Sequence, residues 1–362
     1  MNINKHIDIL YLGEGPCFRS DILKELGHNV FVFSTFTHVK NPWIRCLRKL
    51  DIYISKLSNK TYSRFSIFLI NRYLARFLGT AKAFDVIFIN QAPWITPLAL
   101  KSIKYHSPHS KIVVFCNDDV TGKRDSRRFE RLLSCIDYID HWAVPRETNL
   151  VELLALGAIS VEKVWMGFNS KIHFPTSQEA LNSSELPSVE GKLLFIGTNI
   201  SGEKRVSFLQ SLITSKIPLL VLGQKWPLKK LRIQYKNYFF NKLINGKQYS
   251  YCLSQSLGVL GLLSHGNRDL HTTRSFECMA TLSCFIAEST SEHKLLYEDG
   301  HEALLWSSKD QCKIICHQFI DKCRAGASER SDILHNLSLL PISSYSLQNS
   351  FSYILAQVIQ EK

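Results

Sequence analysis

The sequence lacks any uninterrupted apolar run of about 18–20 residues, the length that a transmembrane helix requires. Its first residues, MNINKHIDILYLGEG, lead directly into a strand pattern and lack the apolar core and cleavage site of a signal peptide. These absences favour a cytoplasmic protein. They leave open peripheral attachment to the inner face of the plasma membrane.

No Cys-x-x-Cys pair occurs among the 10 cysteines, and most of them stand within apolar runs. Buried free thiols of a reducing compartment are the simplest interpretation. One cluster combines metal-ligating residue types, but its spacing matches no known zinc pattern; it consists of Cys312, Cys316, His317 and Cys323. The sequence therefore predicts no metal site.

Acidic residues are scarce, with 31 Asp and Glu against 44 Lys and Arg, which gives a formal net charge of +13 at pH 7. Such an excess is compatible with nucleic acid, anionic lipid headgroups or a phosphorylated substrate as partner. No recognised nucleic-acid motif is present, so nucleic acid is not predicted. The chain of 362 residues, 45% of them hydrophobic, is long enough for two domains of ordinary size.

The most basic region spans residues 43–82, where Asp51 is the only acid among nine Lys and Arg residues and seven aromatic ones. Helical spacing places Ile67, Ile70, Leu74 and Phe77 on one face, and Arg72 and Arg76 on another. This pattern favours a helix that lies on an anionic membrane surface. A helix pair that packs into the domain with a solvated basic face is equally compatible.

Apolar strands alternate with helices over residues 1–170, which predicts a parallel α/β domain. The tight turn Gly13-Glu14-Gly15 follows the first strand but lacks the third glycine of a dinucleotide fingerprint. A later strand, 111–116, ends at Asn117-Asp118-Asp119, so that two carboxylates follow a buried strand. Asp118 or Asp119 could act as a general base toward an acceptor hydroxyl, with Glu14 as a further candidate. An ordinary turn or helix N-cap is the alternative.

A polar segment without strands, 171–191, is predicted to be an interdomain linker. The α/β pattern then restarts over residues 192–345, and residues 346–362 form an amphipathic helix. In this second half a Gly-rich turn, Gly197 to Gly202, precedes Lys204 and Arg205 at a helix start, which favours phosphate. The predicted fold class is therefore α/β, with two Rossmann-like domains.

The segment from Ser264 to Glu288 has the strongest functional pattern. Four basic residues face a single acid, Asp269, in the loop before a short helix capped by Thr272 or Thr273; they are His265, Arg268, His271 and Arg274. Cations and free amides at a helix start predict an anion site. Glu277 would repel phosphate alone, but one carboxylate can accept hydrogen bonds from both hydroxyls of a ribose. A solvated basic loop before an ordinary helix is the alternative.

The run NRDLHTTRSFECMA, followed by FIAESTSEHKLLYEDGHEALLW, resembles the signature of the CgeB-like glycosyltransferases. These are GT-B enzymes of the group-1 type, whose two Rossmann-like domains face each other across a cleft. FCNDDVTGK also resembles a stretch of that family, and Gly223-Gln-Lys-Trp226 resembles its Gly-x-x-Trp beside the nucleotide base. The resemblance implies that the last helix crosses back to the first domain and that the turn at Glu14 faces the acceptor.

The same resemblance implies that Glu277 holds the ribose and that basic groups near Arg274 face the diphosphate. The donor-binding residues expected in the second domain are Gly197, Thr198, Lys204, Arg205, Trp226, Arg268, His271, Thr273, Arg274, Ser275 and Glu277. Arg205, Arg274 and helix-start amides would stabilise the leaving diphosphate without a metal or other cofactor.

We therefore predict a glycosyltransferase that moves a sugar from a nucleotide-sugar to a hydroxyl of a glycan or lipid-linked acceptor, in polysaccharide or glycolipid synthesis. A nucleotide-sugar epimerase of the same fold is one alternative. A non-catalytic protein that binds nucleotide or lipid phosphate is another.

Overall fold

The computed structural model describes residues 6–13, 18–34, 63–124, 126–177 and 187–359. They form two compact units, of which the first takes the described residues up to Trp165 together with those from Leu347 onward, and the second spans Met166–Ser346. The described parts of the predicted linker, 171–177 and 187–191, belong to the second unit. Predictions on Glu14 and on residues 43–62 lie outside the described residues.

The first unit contains a parallel six-stranded sheet in the order β2-β1-β3-β4-β5-β6. Its strands are β1 (Asp8–Gly13), β2 (Asn29–Ser34), β3 (Val86–Asn90), β4 (Lys111–Phe115), β5 (His141–Val144) and β6 (Val161–Lys163). Its helices up to Trp165 are α1 (Phe18–Glu25), α2 (Arg64–Leu78), α3 (Pro97–His106), α4 (Ser126–Leu133) and α5 (Glu147–Ala155), with a 3-10 turn at Ile136–Tyr138. Every residue of β3 is buried, as expected for a strand covered on both faces.

The second unit contains another parallel sheet, in the order β12-β11-β10-β7-β8-β9. Its strands are β7 (Leu193–Thr198), β8 (Leu219–Gln224), β9 (Phe239–Phe240), β10 (Gly258–Gly261), β11 (Phe285–Glu288) and β12 (Ala303–Trp306). Its helices are α6 (Arg205–Thr214), α7 (Gly246–Gln255), α8 (Thr273–Ala280), α9 (Ser291–Leu296), α10 (Lys309–Arg324) and α11 (Glu329–Leu339). Short 3-10 segments occur at Leu228–Lys230, Ile233–Tyr238, His265–Asn267 and Ile342–Tyr345.

The strand order of the second sheet reverses between β7 and β10. From β7 the chain continues to β8 on one side, whereas from β10 it continues to β11 on the other. The loops that leave the carboxyl ends of β7 and β10 therefore diverge and open a crevice. Ligands of open α/β sheets bind at such a switch point.

The last helix, α12 (Leu347–Ile359), packs in the first unit. Its Phe351 is fully buried, with its ring centroid 5.0 Å from those of both Phe88 and Phe115. Within the described residues, no helix combines the length and the apolar content needed to cross a membrane.

Candidate functional site

Glu203, in the loop after β7, links this loop to the one after β10 at the switch point of the second sheet. Its carboxylate accepts hydrogen bonds from Ser264 Oγ at 2.7 Å and from the amides of His265 and Gly266 at 3.1 Å each. Burial raises the pKa of Glu203, but these hydrogen bonds outweigh it, so the pKa is lowered and the group stays ionised. The chain's own carboxylate thus ties the β7 and β10 loops together.

Helix α8 begins at Thr273, so that Thr272, one of the two caps that the sequence predicted, is the N-cap. Thr272 forms a capping box with Ser275, whose Oγ accepts from the Thr272 amide at 3.2 Å. Ser275 is fully buried, and its Oγ also lies 2.8 Å from His293 Nε2. Ser275 therefore fixes the start of the helix. Its side chain is buried and is not exposed to a nucleotide-sugar, contrary to the prediction that it contacts one.

Arg274 occupies the first turn of α8 and lies against the end of β7. Its Nη2 donates to the carbonyl of Ile196 at 2.8 Å, and its guanidinium carbon lies 4.8 Å from the centroid of the Tyr249 ring. Burial lowers the pKa of Arg274, but Tyr249 and Glu277 raise it more, so the guanidinium is cationic. Nη1 is buried and has no hydrogen-bond partner among the described residues. A buried cationic donor without a partner points to an anionic ligand.

Glu277 lies one turn further along α8, with its side chain 12% exposed. Its Oε2 accepts a hydrogen bond from the Tyr249 hydroxyl and lies 3.6 Å from Arg274 Nε. Its Oε1 lies 3.7 Å from His173 Nε2. Oε2 is therefore held by the protein, whereas Oε1 has only a distant partner and is the oxygen available to a ligand hydroxyl.

His173 is neutral at this site, although it lies beside a carboxylate. Burial lowers its pKa more than Glu277 raises it. The Asn169 amide donates to His173 Nδ1 at 3.1 Å, which places the ring proton on Nε2, the nitrogen that faces Glu277. His173 thus adds a neutral donor beside the carboxylate.

Sequence reasoning missed Tyr249 and His173. Tyr249 lies on α7, 28 residues before Glu277, and His173 falls within the predicted linker, 171–191. No periodicity connects either residue to α8. Only the packing of α7 and of the segment around His173 against α8 brings them to the carboxylate.

Tyr249→Phe tests whether the tyrosine positions Glu277. The variant keeps the ring over Arg274 and removes only the hydroxyl that donates to Glu277 Oε2. We expect a loss of nucleoside diphosphate affinity of about 1 kcal/mol, or about fivefold, measured by calorimetry. Tyr251→Phe, on the same helix and similarly buried, is the matched control. Equal affinity of Tyr249→Phe and the parent would show that the hydroxyl does not position Glu277.

Arg205 is the first residue of α6 and lies beside the ends of β7 and β10. It is 9% exposed, and its Nη1 and Nη2 donate to the carbonyls of Thr198 at 2.8 Å and Leu263 at 3.2 Å. These bonds hold the ends of β7 and β10 together. Nη1 and Nη2 of Arg205 therefore serve backbone carbonyls, and a contact between Arg205 and a diphosphate stays a prediction.

Lys204 precedes Arg205, has a left-handed conformation with φ of 52°, and is exposed. Position 223, at the end of the neighbouring strand β8, requires glycine: its φ is 134°, and a Cβ there would lie 1.9 Å from the Gly197 carbonyl oxygen. Among the glycine-turn residues, Lys204 keeps a side chain free to reach a ligand, whereas Gly197 and Thr198 contribute backbone.

His271 and Trp226, which were predicted to contact the nucleotide-sugar, are both buried. His271 is 1% exposed; its Nδ1 pairs with Glu292 and its Nε2 accepts from the Met166 amide at 3.4 Å. Trp226 is 2% exposed and packs edge-to-face on Phe195 and Phe239, so it cannot stack on a base. Both residues support the unit from within, because their rings are enclosed by other side chains.

Arg268 and Thr273 precede Arg274 in the chain and are half-buried. Arg268 ends the 3-10 turn in a left-handed conformation with φ of 54°. Thr273 is the first residue of α8, where amides face outward from the helix start. Their positions agree with a place beside an anion, and their roles stay predictions.

In the first unit, the two acids after β4 have different environments. Asp118 has a side chain 28% exposed and forms an ion pair with Arg128 at 2.7 Å. Asp119 is fully buried and accepts from Asn149 Nδ2 at 2.6 Å. A general base must reach its substrate, so Asp119 does not fit that role and Asp118 remains the candidate.

Asn117, the residue before Asp118 and Asp119, has side-chain hydrogen-bonding groups without a partner among the described residues. Asn117 is 8% exposed, and neither end of its side-chain amide has a partner among the described residues. Its backbone carbonyl accepts from Arg146 Nη1 at 2.8 Å. Arg146 therefore fixes the backbone of this turn, while the buried Asn117 side chain keeps both its donor and its acceptor for other partners.

Residues 204–338 match the family model described as glycosyl transferase-like. No curated protein sequence matches the chain. Among solved structures, HepE from Anabaena in complex with UDP aligns over 99% of this chain and 100% of its own, at 12% identity and a TM-score of 0.59. Sucrose-phosphate synthase from Thermosynechococcus elongatus aligns over 99% and 100%, at 12% identity and a TM-score of 0.60. The lipopolysaccharide outer core galactosyltransferase WaaB aligns over 97% and 99%, at 13% identity and a TM-score of 0.58.

The chain therefore has the fold of the GT-B glycosyltransferases, as the sequence predicted. The family match, residues 204–338, lies within the unit that holds Arg274 and Glu277 and includes both residues. Fold and family match together support the glycosyltransferase prediction over the epimerase and the non-catalytic binding protein.

Proposed function

We propose that this protein transfers a hexosyl or related glycosyl group from a nucleotide-sugar to an acceptor hydroxyl, as a member of the CgeB-like group. One observation carries the proposal: a buried guanidinium donor without a partner, Arg274 Nη1, lies beside a carboxylate with one available oxygen, Glu277 Oε1. A nucleoside diphosphate combines the two groups that this pair recognises, since its phosphates are anionic and its ribose supplies hydroxyl donors.

Charge on the leaving diphosphate is the main electrostatic requirement of this reaction. In the proposed mechanism Arg274, the exposed Lys204 and the first amides of α8 stabilise that charge, in the role that a metal ion has in other transferases. Arg205 acts indirectly, because it holds the ends of β7 and β10 in place. The proposal therefore needs no metal or other cofactor.

We assign activation of the acceptor to the first unit, where Asp118 is the accessible carboxylate after β4. The acceptor class we propose is a glycan or a lipid-linked sugar at the inner face of the plasma membrane. WaaB, a structural neighbour, is by its name a lipopolysaccharide galactosyltransferase, which supports a cell-surface glycan as product.

Product analysis tests the reaction directly. The protein is incubated with UDP-sugars and other nucleotide-sugars, with and without lipid-linked and oligosaccharide acceptors, and products are identified by mass spectrometry. The proposal predicts a glycoside that forms only with acceptor present. An isomerised donor without acceptor would establish the epimerase. Thermal stabilisation by a nucleoside diphosphate without any product would establish the binding protein.

Glu277→Gln tests the ribose assignment, because it keeps the size of the side chain and removes its charge. Tyr249, Arg274 and His173 all direct donors at this carboxylate, so the amide NH2 of Gln would face another donor. We expect a loss of about 1.5–3 kcal/mol, or about ten- to hundredfold in donor affinity, by calorimetry with nucleoside, nucleoside diphosphate and nucleotide-sugar.

The control for Glu277→Gln is Glu298→Gln, whose side chain is 73% exposed and contacts only His301 at 3.9 Å. It removes the same charge from the same unit and is expected to leave affinity unchanged. If Glu277→Gln binds all three ligands like the parent, Glu277 does not hold the ribose.

A further inference from the structure

Helix α2 presents an exposed stripe of aromatic and basic side chains. Phe65, Phe68, Arg72 and Arg76 follow one another at spacings of three or four residues and so share one side of the helix. Phe65 is 52% exposed and Phe68 57% exposed. The opposite side buries Ile67, Ile70, Leu74 and Leu78 in the core of the first unit. Two adjacent exposed phenylalanines are unusual on the surface of a soluble domain and indicate a contact surface.

Helix α3 continues this surface. Leu98, Lys101 and Tyr105 follow the same spacing, with Leu98 69% and Tyr105 92% exposed. A groove of about 560 Å³ lies between the two helices; its lining includes Ala75 of α2, Gly79 directly after α2, and Lys101 and Tyr105 of α3. We call the exposed set Phe65, Phe68, Arg72, Arg76, Leu98, Lys101 and Tyr105 the α2–α3 face.

The α2–α3 face carries charge of one sign only. No acidic residue occurs between Asp51 and Asp85, and none occurs between Asp85 and Asp118, so neither helix contains a carboxylate. Lys104, on another side of α3, is paired with Asp140 at 3.4 Å. The cations of the face, in contrast, stand among aromatic and aliphatic side chains.

We propose that the α2–α3 face docks on an anionic lipid surface. Aromatic and aliphatic side chains of this kind enter the boundary between headgroups and acyl chains, while Arg and Lys contact anionic headgroups. An acidic protein partner could bind through the cations alone and would not require large exposed apolar side chains. The α2–α3 face has both kinds of side chain on one surface, and a lipid surface provides a partner for each. The inference is independent of glycosyl transfer, so either can fail without the other.

The test measures co-sedimentation of the full chain with sucrose-loaded vesicles, one set of phosphatidylcholine alone and one with phosphatidylglycerol added. We expect binding to the anionic vesicles that falls as salt rises, because salt screens the headgroup charges. Arg72→Glu with Arg76→Glu should lower the partition coefficient at least about twentyfold. Phe65→Ser with Phe68→Ser should lower it to a similar extent and should leave residual binding that is abolished by salt.

The matched control is Lys229→Glu with Lys230→Glu, which makes the same change in net charge at two exposed lysines of the second unit. It should bind vesicles like the parent. Thermal unfolding of each variant checks that the fold is intact. The proposal is overturned if the parent fails to pellet with anionic vesicles at low salt, if both vesicle types bind equally, or if the control loses as much binding as the Arg72 and Arg76 variant.

Discussion

Arg274→Ala is expected to lower the affinity for a nucleoside diphosphate by about 2–4 kcal/mol, or about 30- to 1000-fold, because it removes a buried cation from an anion site. The affinity for the bare nucleoside should change far less, since the guanidinium is assigned to phosphate and not to sugar or base. Calorimetric titration with uridine and UDP, the nucleotide found in HepE, gives both values on one preparation. Their ratio separates loss of a phosphate contact from general damage to the unit.

Two further variants sharpen this comparison. Arg274→Lys keeps the positive charge but loses the planar fork that reaches Ile196 and lies over Tyr249, so we expect partial recovery of diphosphate affinity. Arg330→Ala is the matched control, because Arg330 also donates to backbone carbonyls, those of Leu257 and Ser256, but has no assigned contact with the donor. If Arg274→Ala and Arg330→Ala weaken UDP binding equally, Arg274 has a structural role only.

The relation of Arg274 to Glu277 could be read from the sequence, because helix geometry is local. Residues three apart on a helix lie on the same side, and the Thr272 cap fixes where that helix begins. The structure places Arg274 Nε 3.6 Å from Glu277 Oε2, as this spacing requires. The strands were equally readable: 111–116 was predicted and Lys111–Phe115 is observed, since a strand buried on both faces is a continuous apolar run.

The environments of the Lys204 and Arg205 side chains could not be predicted from the sequence. Consecutive residues at a helix start point about 100° apart, so adjacent cations can have opposite environments. Here Lys204 is exposed, whereas Arg205 turns inward to the carbonyls of Thr198 and Leu263. A basic pair at a Gly-rich turn has the same sequence pattern whether its members face a ligand or backbone. Only the three-dimensional packing decides between them.

Trp226 and Tyr249 also show that motif spacing does not identify which side chains reach the site. The motif suggested Trp226 wrongly and gave no indication of Tyr249. Trp226 was expected beside the nucleotide base, because Gly223 to Trp226 resembles a Gly-x-x-Trp motif, yet Phe195 and Phe239 enclose its ring. Tyr249 belongs to no recognised pattern, yet its hydroxyl reaches Glu277. Both outcomes depend on contacts between segments distant in sequence, which neither periodicity nor motif spacing encodes.

Asp118→Asn is expected to lower turnover about 10²- to 10⁴-fold, because an amide cannot accept the proton of the acceptor hydroxyl. Donor affinity should survive, since a general base acts in the transition state and Asp118 lies in the unit that does not hold Arg274 and Glu277. Initial rates at saturating nucleotide-sugar give kcat, and calorimetry gives the donor Kd. Thermal unfolding shows whether loss of the ion pair with Arg128 affects the fold.

Two neighbouring acids serve as controls for Asp118→Asn. Asp119→Asn replaces the buried acceptor of Asn149 Nδ2, so its expected effect is a lower melting temperature and not a change in the chemical step. Asp137→Asn changes an exposed acid of the same unit and should leave both turnover and stability unchanged. Full turnover in Asp118→Asn would exclude it as the base. In that case Glu14 and His141 are the next residues to substitute.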